Sequence, residues 1–277
     1  MSGKRKIIVA AFVLIVVGVF VAVLAGGKWK SPTSREEEYS INTEEYETNG
    51  TETGINIDAD TVTGIETGQD TETDINADVI NPDSVIKAMV YMESSVAGGN
   101  GSIYEITEDE VIIVTTYHLL QDGETIGVRF YDNMYAEGSV IGVNEKHDVG
   151  FVKIPLNEIP DDTAKRIKAI QRNDNMYDSL IQGSPMAYHF LSYDGIFVCQ
   201  ETREGSIGAM NWYVEDFDDE LIYNYCKIQP GMSGCAAVAE DGSYIGMVIG
   251  GYENESAALS IRVIDKVYQE LKEFTKS

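Results

Sequence analysis

Residues 101–120 read GSIYEITEDEVIIVTTYHLL, with two apolar runs, GSIYEI and VIIVTTYHLL, on either side of an acidic turn at 107–110. Isoleucine, valine, threonine and tyrosine fill both runs, and these residues suit a pleated, half-buried surface. Runs of the same kind continue downstream as TIGVRFY, AEGSVIGV, VGFVKI, SPMAYHF, GIFVCQE, GSIGAM, IYNYCKI, AAVAE and YIGMVIGGY, separated by Gly, Asp and Asn turns. Many short strands at close intervals predict an all-β sandwich or barrel from about Pro82 onward. The end of the chain departs from this texture. Val263, Ile264, Val267, Leu271 and Phe274 fall on one helical face, which predicts a final amphipathic helix.

Upstream of the β-rich region the composition changes twice. Residues 31–80 hold fourteen acids, one base and ten threonines, and TETGINIDAD at 51–60 returns loosely as TETDINADVI at 71–80. Such a segment cannot bury enough apolar area to offset its chain entropy, so a disordered, extended linker is expected. Before it, KRK at 4–6 precedes Ile7 to Ala25, nineteen residues without a charge. That is long enough to cross a bilayer as a helix. Lys28 and Lys30 close the far side, so the positive-inside bias is three against two. A cytoplasmic N-terminus is expected, with the remainder of a single-pass cell-membrane protein outside. The alternative is a cleaved signal peptide, because VLA before Gly26 suits a signal peptidase. The plan is therefore an anchor at 1–30 with its helix at about 7–25, a linker at 31–80 and one domain at 81–277.

The formal charge of −26 argues against nucleic acid as a partner, since phosphate neutralisation needs a basic surface. Cys199, Cys226 and Cys235 lack the spacing of a zinc or redox motif. They are read as buried thiols, with one disulfide at most. His118, His147 and His189 are too scattered to suggest a metal cluster.

The stretch QPGMSGC at 229–235 places a serine between glycines on a tight turn between two strand-like runs. Glycine permits backbone angles that other residues resist, so Ser233 is presented outward beside N–H groups pointing the same way. That describes a nucleophile with an oxyanion hole, or simply a turn. A nucleophilic serine needs a base, and His118 lies where a strongly apolar strand runs out. The base needs a carboxylate to fix its tautomer, and Asp148 in EKHDVGFVKI leads into a buried-looking strand. His147, beside it, is read as a surface neighbour.

These segments resemble the chymotrypsin-fold (trypsin-like) serine proteases, in particular their HtrA-type branch. GSIYEITEDEVIIVTTYHLL is similar to that family's G-S-G hairpin ending in T-N-N-H-V, and VNEKHDVGFVKI to its D-L-A-V-L-K-I segment. IQPGMSGCAAVAEDGSYIGMVI resembles I-N-P-G-N-S-G-G-P-L-V, and LSIRVIDKVYQEL resembles the family's closing helix. The likeness spans roughly 85–275, and no PDZ domain is expected because the sequence stops at Ser277.

The resemblance implies two six-stranded antiparallel β-barrels with the active site between them, and hydrolysis of protein or peptide substrates without metal or organic cofactor. His118 and Asp148 would come from the first barrel and Ser233 from the second. The amides of Gly231 and Ser233 would form the oxyanion hole, and Ile249, Gly250 and Gly251 would pair with the substrate backbone. Lys227 falls at the base of the specificity pocket, where it would meet an acidic side chain; the alternative is that it faces solvent. The domain's 14 bases and 32 acids pull the other way, toward basic substrates. Two positions depart from the family pattern. Met232 stands where relatives carry Asn or Asp, so it cannot receive a freed N-terminal ammonium. Cys235 replaces a glycine and is expected to strain the turn. The rival reading is a pseudoprotease that grips extended peptides, and the orientation of the Gly231 amide separates the two. A purely structural surface protein is disfavoured by the intact triad.

Overall fold

The computed structural model describes residues 81–95, 97–121 and 123–274, so the expected anchor and linker at 1–80 lie outside the described residues. Among the described residues no helix is long and apolar enough to cross a membrane. Asn81 opens the described chain as the cap of α1 (Pro82–Ile86), its side chain accepting the Asp83 N–H at 2.9 Å. Proline at the first helical position loses no bond there, because that N–H would have no partner within the helix.

Six strands follow: β1 (Met89–Glu93), β2 (Gly98–Ile106), β3 (Glu110–Thr115), β4 (Thr125–Phe130), β5 (Tyr135–Asn144) and β6 (Val149–Pro155). They close into a barrel in the order β1-β2-β3-β6-β5-β4, all pairs antiparallel. The predicted hairpin at 101–120 is β2–β3, with Ile103 opposite Ile113. Val90, Ile103, Val111, Ile113, Val128, Phe130, Val152 and Ile154 fill the barrel. Burying each such side chain stabilises the fold by about 1.5–3 kcal/mol before chain entropy is subtracted.

Short helices α2 (Tyr117–Leu120), α3 (Asp161–Ala164) and α4 (Asp174–Ser179) lie in the connections. The second set of strands is β7 (Pro185–Tyr193), β8 (Val198–Val214), β9 (Asp219–Tyr225), β10 (Ala236–Ala239), β11 (Tyr244–Tyr252) and β12 (Glu255–Ser260). These close as β7-β8-β9-β12-β11-β10, the same neighbour pattern as the first six. Full closure removes the exposed sheet edges that an open sheet of this size would carry. The all-β chymotrypsin-like expectation holds, with three details changed. Strands β1 and β12 lie outside the predicted runs. GIFVCQE and GSIGAM are parts of a single strand, β8, whose register shifts between Ile207 and Ala209 and again between Ala209 and Trp212. Bulges let one long strand bend around the barrel, and a sequence pattern shows each bend as a break.

The closing helix is α5 (Ile261–Phe274), with Ile261, Ile264, Val267 and Tyr268 buried. Ile261 and Tyr268 are absent from the predicted apolar set, and Tyr268 makes the more specific contacts. Its ring packs on Tyr104 and Phe151 at centroid distances of 4.6 and 4.9 Å, and its hydroxyl donates to Glu105 at 2.7 Å. Phe274, predicted on the apolar face, is 82% exposed at the end of the helix.

Candidate active site

The β3–β6 pairing sets the first half of the site. Thr115 is opposite Gly150, so His118, three residues beyond Thr115, and Asp148, two before Gly150, emerge at the same end of the barrel. Helix α2 buries Leu119 and Leu120 and leaves the His118 side chain 40% exposed. Asp148 closes the preceding turn at φ +47°, a left-handed conformation that aspartate tolerates better than bulkier residues. Its carboxylate engages His118 twice. Oδ2 lies 2.7 Å from His118 Nδ1, and Oδ1 accepts the His118 backbone N–H at 2.9 Å. An Nδ1–H donated to Asp148 leaves Nε2 as the basic nitrogen. Nε2 sits 3.4 Å from Thr116 Oγ1 and makes no hydrogen bond to Ser233 among the described residues.

The serine comes from the loop before β10. Met232 N–H donates to Gln229 O at 3.2 Å, and Gly231 sits at φ +91°. With Pro230 fixing its own φ near −65°, a positive φ at the next residue makes this a type II turn, which calls for glycine there. Further along, Gly234 N–H donates to Val248 O at 2.8 Å and Cys235 N–H to Met232 O at 3.0 Å. The N–H groups of Gly231 and Ser233 donate to no protein acceptor among the described residues. The amides of Met232, Gly234 and Cys235 are thus bonded, within the loop or to β11, and those of Gly231 and of Ser233 itself are left free. Gly234, at φ +83°, has no room for a side chain: a Cβ there would lie 1.9 Å from Asn100 O.

The expectation that Cys235 strains this turn is corrected. Cys235 is not among the positive-φ residues, and its side chain is wholly buried in the apolar cluster that also takes Met232. Burial pushes its thiol well above the ordinary range, and pushes that of Cys226 up to about 11. Cys199 is exposed, so the buried-thiol reading holds for two of the three free cysteines.

Two contacts tie the loop to the first barrel. Asn100 N–H donates to Ser233 O at 2.8 Å, and Asn100 Nδ2 donates to Gly231 O at 2.8 Å. A Cβ on Gly99 would meet both Ser233 O, at 3.2 Å, and Leu119, at 3.0 Å. The serine backbone and the residue after His118 therefore press on the same point.

Beside the serine, β11 runs past the end of β10. β10 pairs as far as Ala236 opposite Met247, while β12 pairs the other edge through Gly250 and Gly251. The β10-side edge at Ile249, Gly250 and Gly251 is left open among the described residues. Phe217, at the β8–β9 turn, covers Gly250 so closely that a Cβ there would lie 2.7 Å from its ring. Lys227 is exposed, next to buried Cys226. Nearby, His147 Nδ1 meets Asp219 Oδ2 at 2.6 Å, with side-chain exposures of 24% and 12%. That corrects the reading of His147 as a surface neighbour: it ties the turn carrying Asp148 to the start of β9.

Sequence reasoning missed Asn100, Asp219 and Phe217. A polar residue within the glycines of GGNG, at 98–101, was the one local signal for the first, and nothing local marks the other two.

Residues 99–247 match the family model described as trypsin-like peptidase domain. The chain is 28% identical over 191 residues to the "Serine protease HtrA-like" proteins of Staphylococcus aureus strains MRSA252 and USA300, covering 63% of this chain and 23% of each relative. It therefore spans about a quarter of the length of the curated relatives it matches. Among solved structures, a serine endoprotease from Yersinia pestis superposes with a TM-score of 0.54 at 20% identity. That match covers 70% of this chain and 67% of the other, and shows a shared fold.

Proposed function

The chain belongs to the family of trypsin-like peptidase domains, and from that premise we propose that it is a serine endopeptidase acting through Ser233, His118 and Asp148. The observation that carries the proposal is the amide pattern of the 229–235 loop, in which Gly231 and Ser233 alone between Gly231 and Cys235 keep free N–H groups. An oxyanion hole requires unpaired donors of this kind, aimed where negative charge develops.

In the reaction, His118 Nε2 removes the proton from Ser233 Oγ as the oxygen attacks the scissile carbonyl. Asp148 accepts the Nδ1–H bond and stabilises the imidazolium without taking the proton itself. The Gly231 and Ser233 amides hold the oxyanion. His118 then protonates the leaving amine, and a water activated by the same nitrogen hydrolyses the acyl-enzyme. Free-state geometry at such sites is often loose and tightens on substrate, so the missing Ser233–His118 bond is compatible with this sequence. The open edge at Ile249, Gly250 and Gly251 takes an extended peptide as an added strand. Lys227 offers an exposed ammonium to an acidic side chain preceding the scissile bond. The chemistry calls for no metal or organic cofactor. The apolar run at 7–25 and the acidic linker at 31–80 support a membrane-tethered domain outside the cell.

The pseudoprotease reading draws on one observation, the turn of His118 Nε2 toward Thr116 rather than Ser233. A fluorophosphonate probe separates the two. The full chain should be labelled at one site, lost in Ser233→Ala. A chain that binds peptides but takes no label would be a binding module.

A further inference from the structure

Asn100 performs no step in that mechanism, yet its side chain is wholly buried and fully bonded. Nδ2 donates to Leu191 O at 3.1 Å and to Gly231 O at 2.8 Å, while Oδ1 accepts the Leu191 N–H at 2.7 Å. Its backbone is engaged as well: the N–H holds Ser233 O at 2.8 Å, and the carbonyl accepts from Thr115 Oγ1 at 2.6 Å. Asn100 and Thr115 belong to β2 and β3 of the barrel that carries His118; Leu191, Gly231 and Ser233 belong to the other. A buried amide costs free energy unless every group is paired, so filling this position with asparagine is justified only by what it holds.

Resting on the proposed endopeptidase reading, we infer that Asn100 is a positioning residue that sets Ser233 and the Gly231 amide against His118 across the two barrels. The peptide unit between Gly231 and Met232 is pinned at both ends, its carbonyl by Asn100 Nδ2 and its N–H by Gln229 O. Removing the amide releases one end, leaves the Leu191 and Gly231 carbonyls short of a donor and leaves the Leu191 N–H without its acceptor. They recover partners only by moving the loop. The peptide-binding edge at 249–251 is held separately by β12, so its affinity for an extended peptide is untouched. A misplacement of about 1 Å at a reacting group costs on the order of 100-fold in rate.

The test compares the full wild-type chain with Asn100→Ala and Asn100→Asp, read by fluorophosphonate labelling rate, by kcat and KM on a peptide substrate, and by circular dichroism for fold. Asn100→Ala should label about 100-fold more slowly, with kcat lowered and KM unchanged. Asn100→Asp keeps the acceptor for Leu191 N–H but turns an oxygen toward Leu191 O and Gly231 O. Two facing carbonyls oppose its ionisation, and the protonated form supplies one donor. Its labelling rate relative to wild type should therefore rise as pH falls. A wild-type chain that takes no label would sink the endopeptidase reading itself. Labelling of folded Asn100→Ala at the wild-type rate, or a loss carried in KM alone, would overturn the positioning role and leave the endopeptidase standing. A pH-independent ratio for Asn100→Asp would do the same. Loss of fold in both variants would also overturn it, making Asn100 a structural tie only.

Discussion

His118 with Asp148 and His147 with Asp219 are chemically the same pair, with Nδ1 against Oδ2 at 2.7 and 2.6 Å and with adjacent residues supplying one partner of each. They differ in what surrounds them. Asp148 uses its second oxygen on the backbone of the histidine it orients, and both partners rise from one pair of strands, β3 and β6. His118 stays 40% exposed at the mouth of the site, where its second nitrogen can serve a substrate. Asp219 belongs to the second barrel and gives its second oxygen to the Glu220 N–H at 2.9 Å, while the His147 N–H donates to Asn144 at 3.1 Å. That pair is a brace between barrels. A carboxylate on Nδ1 fixes a tautomer wherever it occurs; chemistry needs a nucleophile on the other side.

The sharpest way to break the comparison is to remove each histidine in turn. His118→Ala should lower kcat for peptide hydrolysis by about six orders of magnitude, as losing the base of such a unit does. His147→Ala should leave labelling of Ser233 nearly unchanged and lower stability by about 1.5–3 kcal/mol, the worth of one hydrogen bond to a charged group. Thermal melts and labelling rates on the same samples decide it, and equal losses of activity would mean that the brace belongs to the mechanism.

A smaller effect is expected at the turn between them and the serine. Gly231 has open space around its Cβ position, so Gly231→Ala meets only backbone strain at φ +91°, about 1–3 kcal/mol. Relaxing that strain turns the Gly231 amide away. The variant should stay folded while labelling slows by about 100- to 1,000-fold, the cost of one oxyanion donor. Gly234→Ala should instead fail to fold stably, because its Cβ would collide with Asn100 O at 1.9 Å.

The smallest effect concerns the third histidine. Burial holds His189 below its ordinary pKa of 6.5, so the folded chain binds that proton less readily than the unfolded chain. Its contribution to stability is present above about pH 6.5 and is lost as pH falls through the lowered value. His189→Gln should flatten the decline of the melting temperature below pH 6.5 and change nothing above it. A decline just as steep in the variant would assign the acid sensitivity to other groups.

Much of this architecture is written in local pattern. The β2–β3 hairpin, the β3 strand running out near His118, the glycines around Ser233 and the apolar face of α5 all depend on residues within a few positions of one another. The period of a strand or helix and the φ of a glycine turn are short-range properties, so the sequence carries most of the strands, the closing helix and the three candidate catalytic groups, while β1, β12 and the continuity of β8 emerge only with barrel closure. The tertiary structure alone decided which groups face each other. Asn100 reaches Leu191 and Gly231 across 91 and 131 residues, and His147 reaches Asp219 across 72. Cys235, which the local sequence marks as a strain on the turn, is buried with Met232 in the apolar cluster beneath it. Such contacts follow from barrel closure and from the packing of one barrel on the other, and no short-range periodicity carries that information.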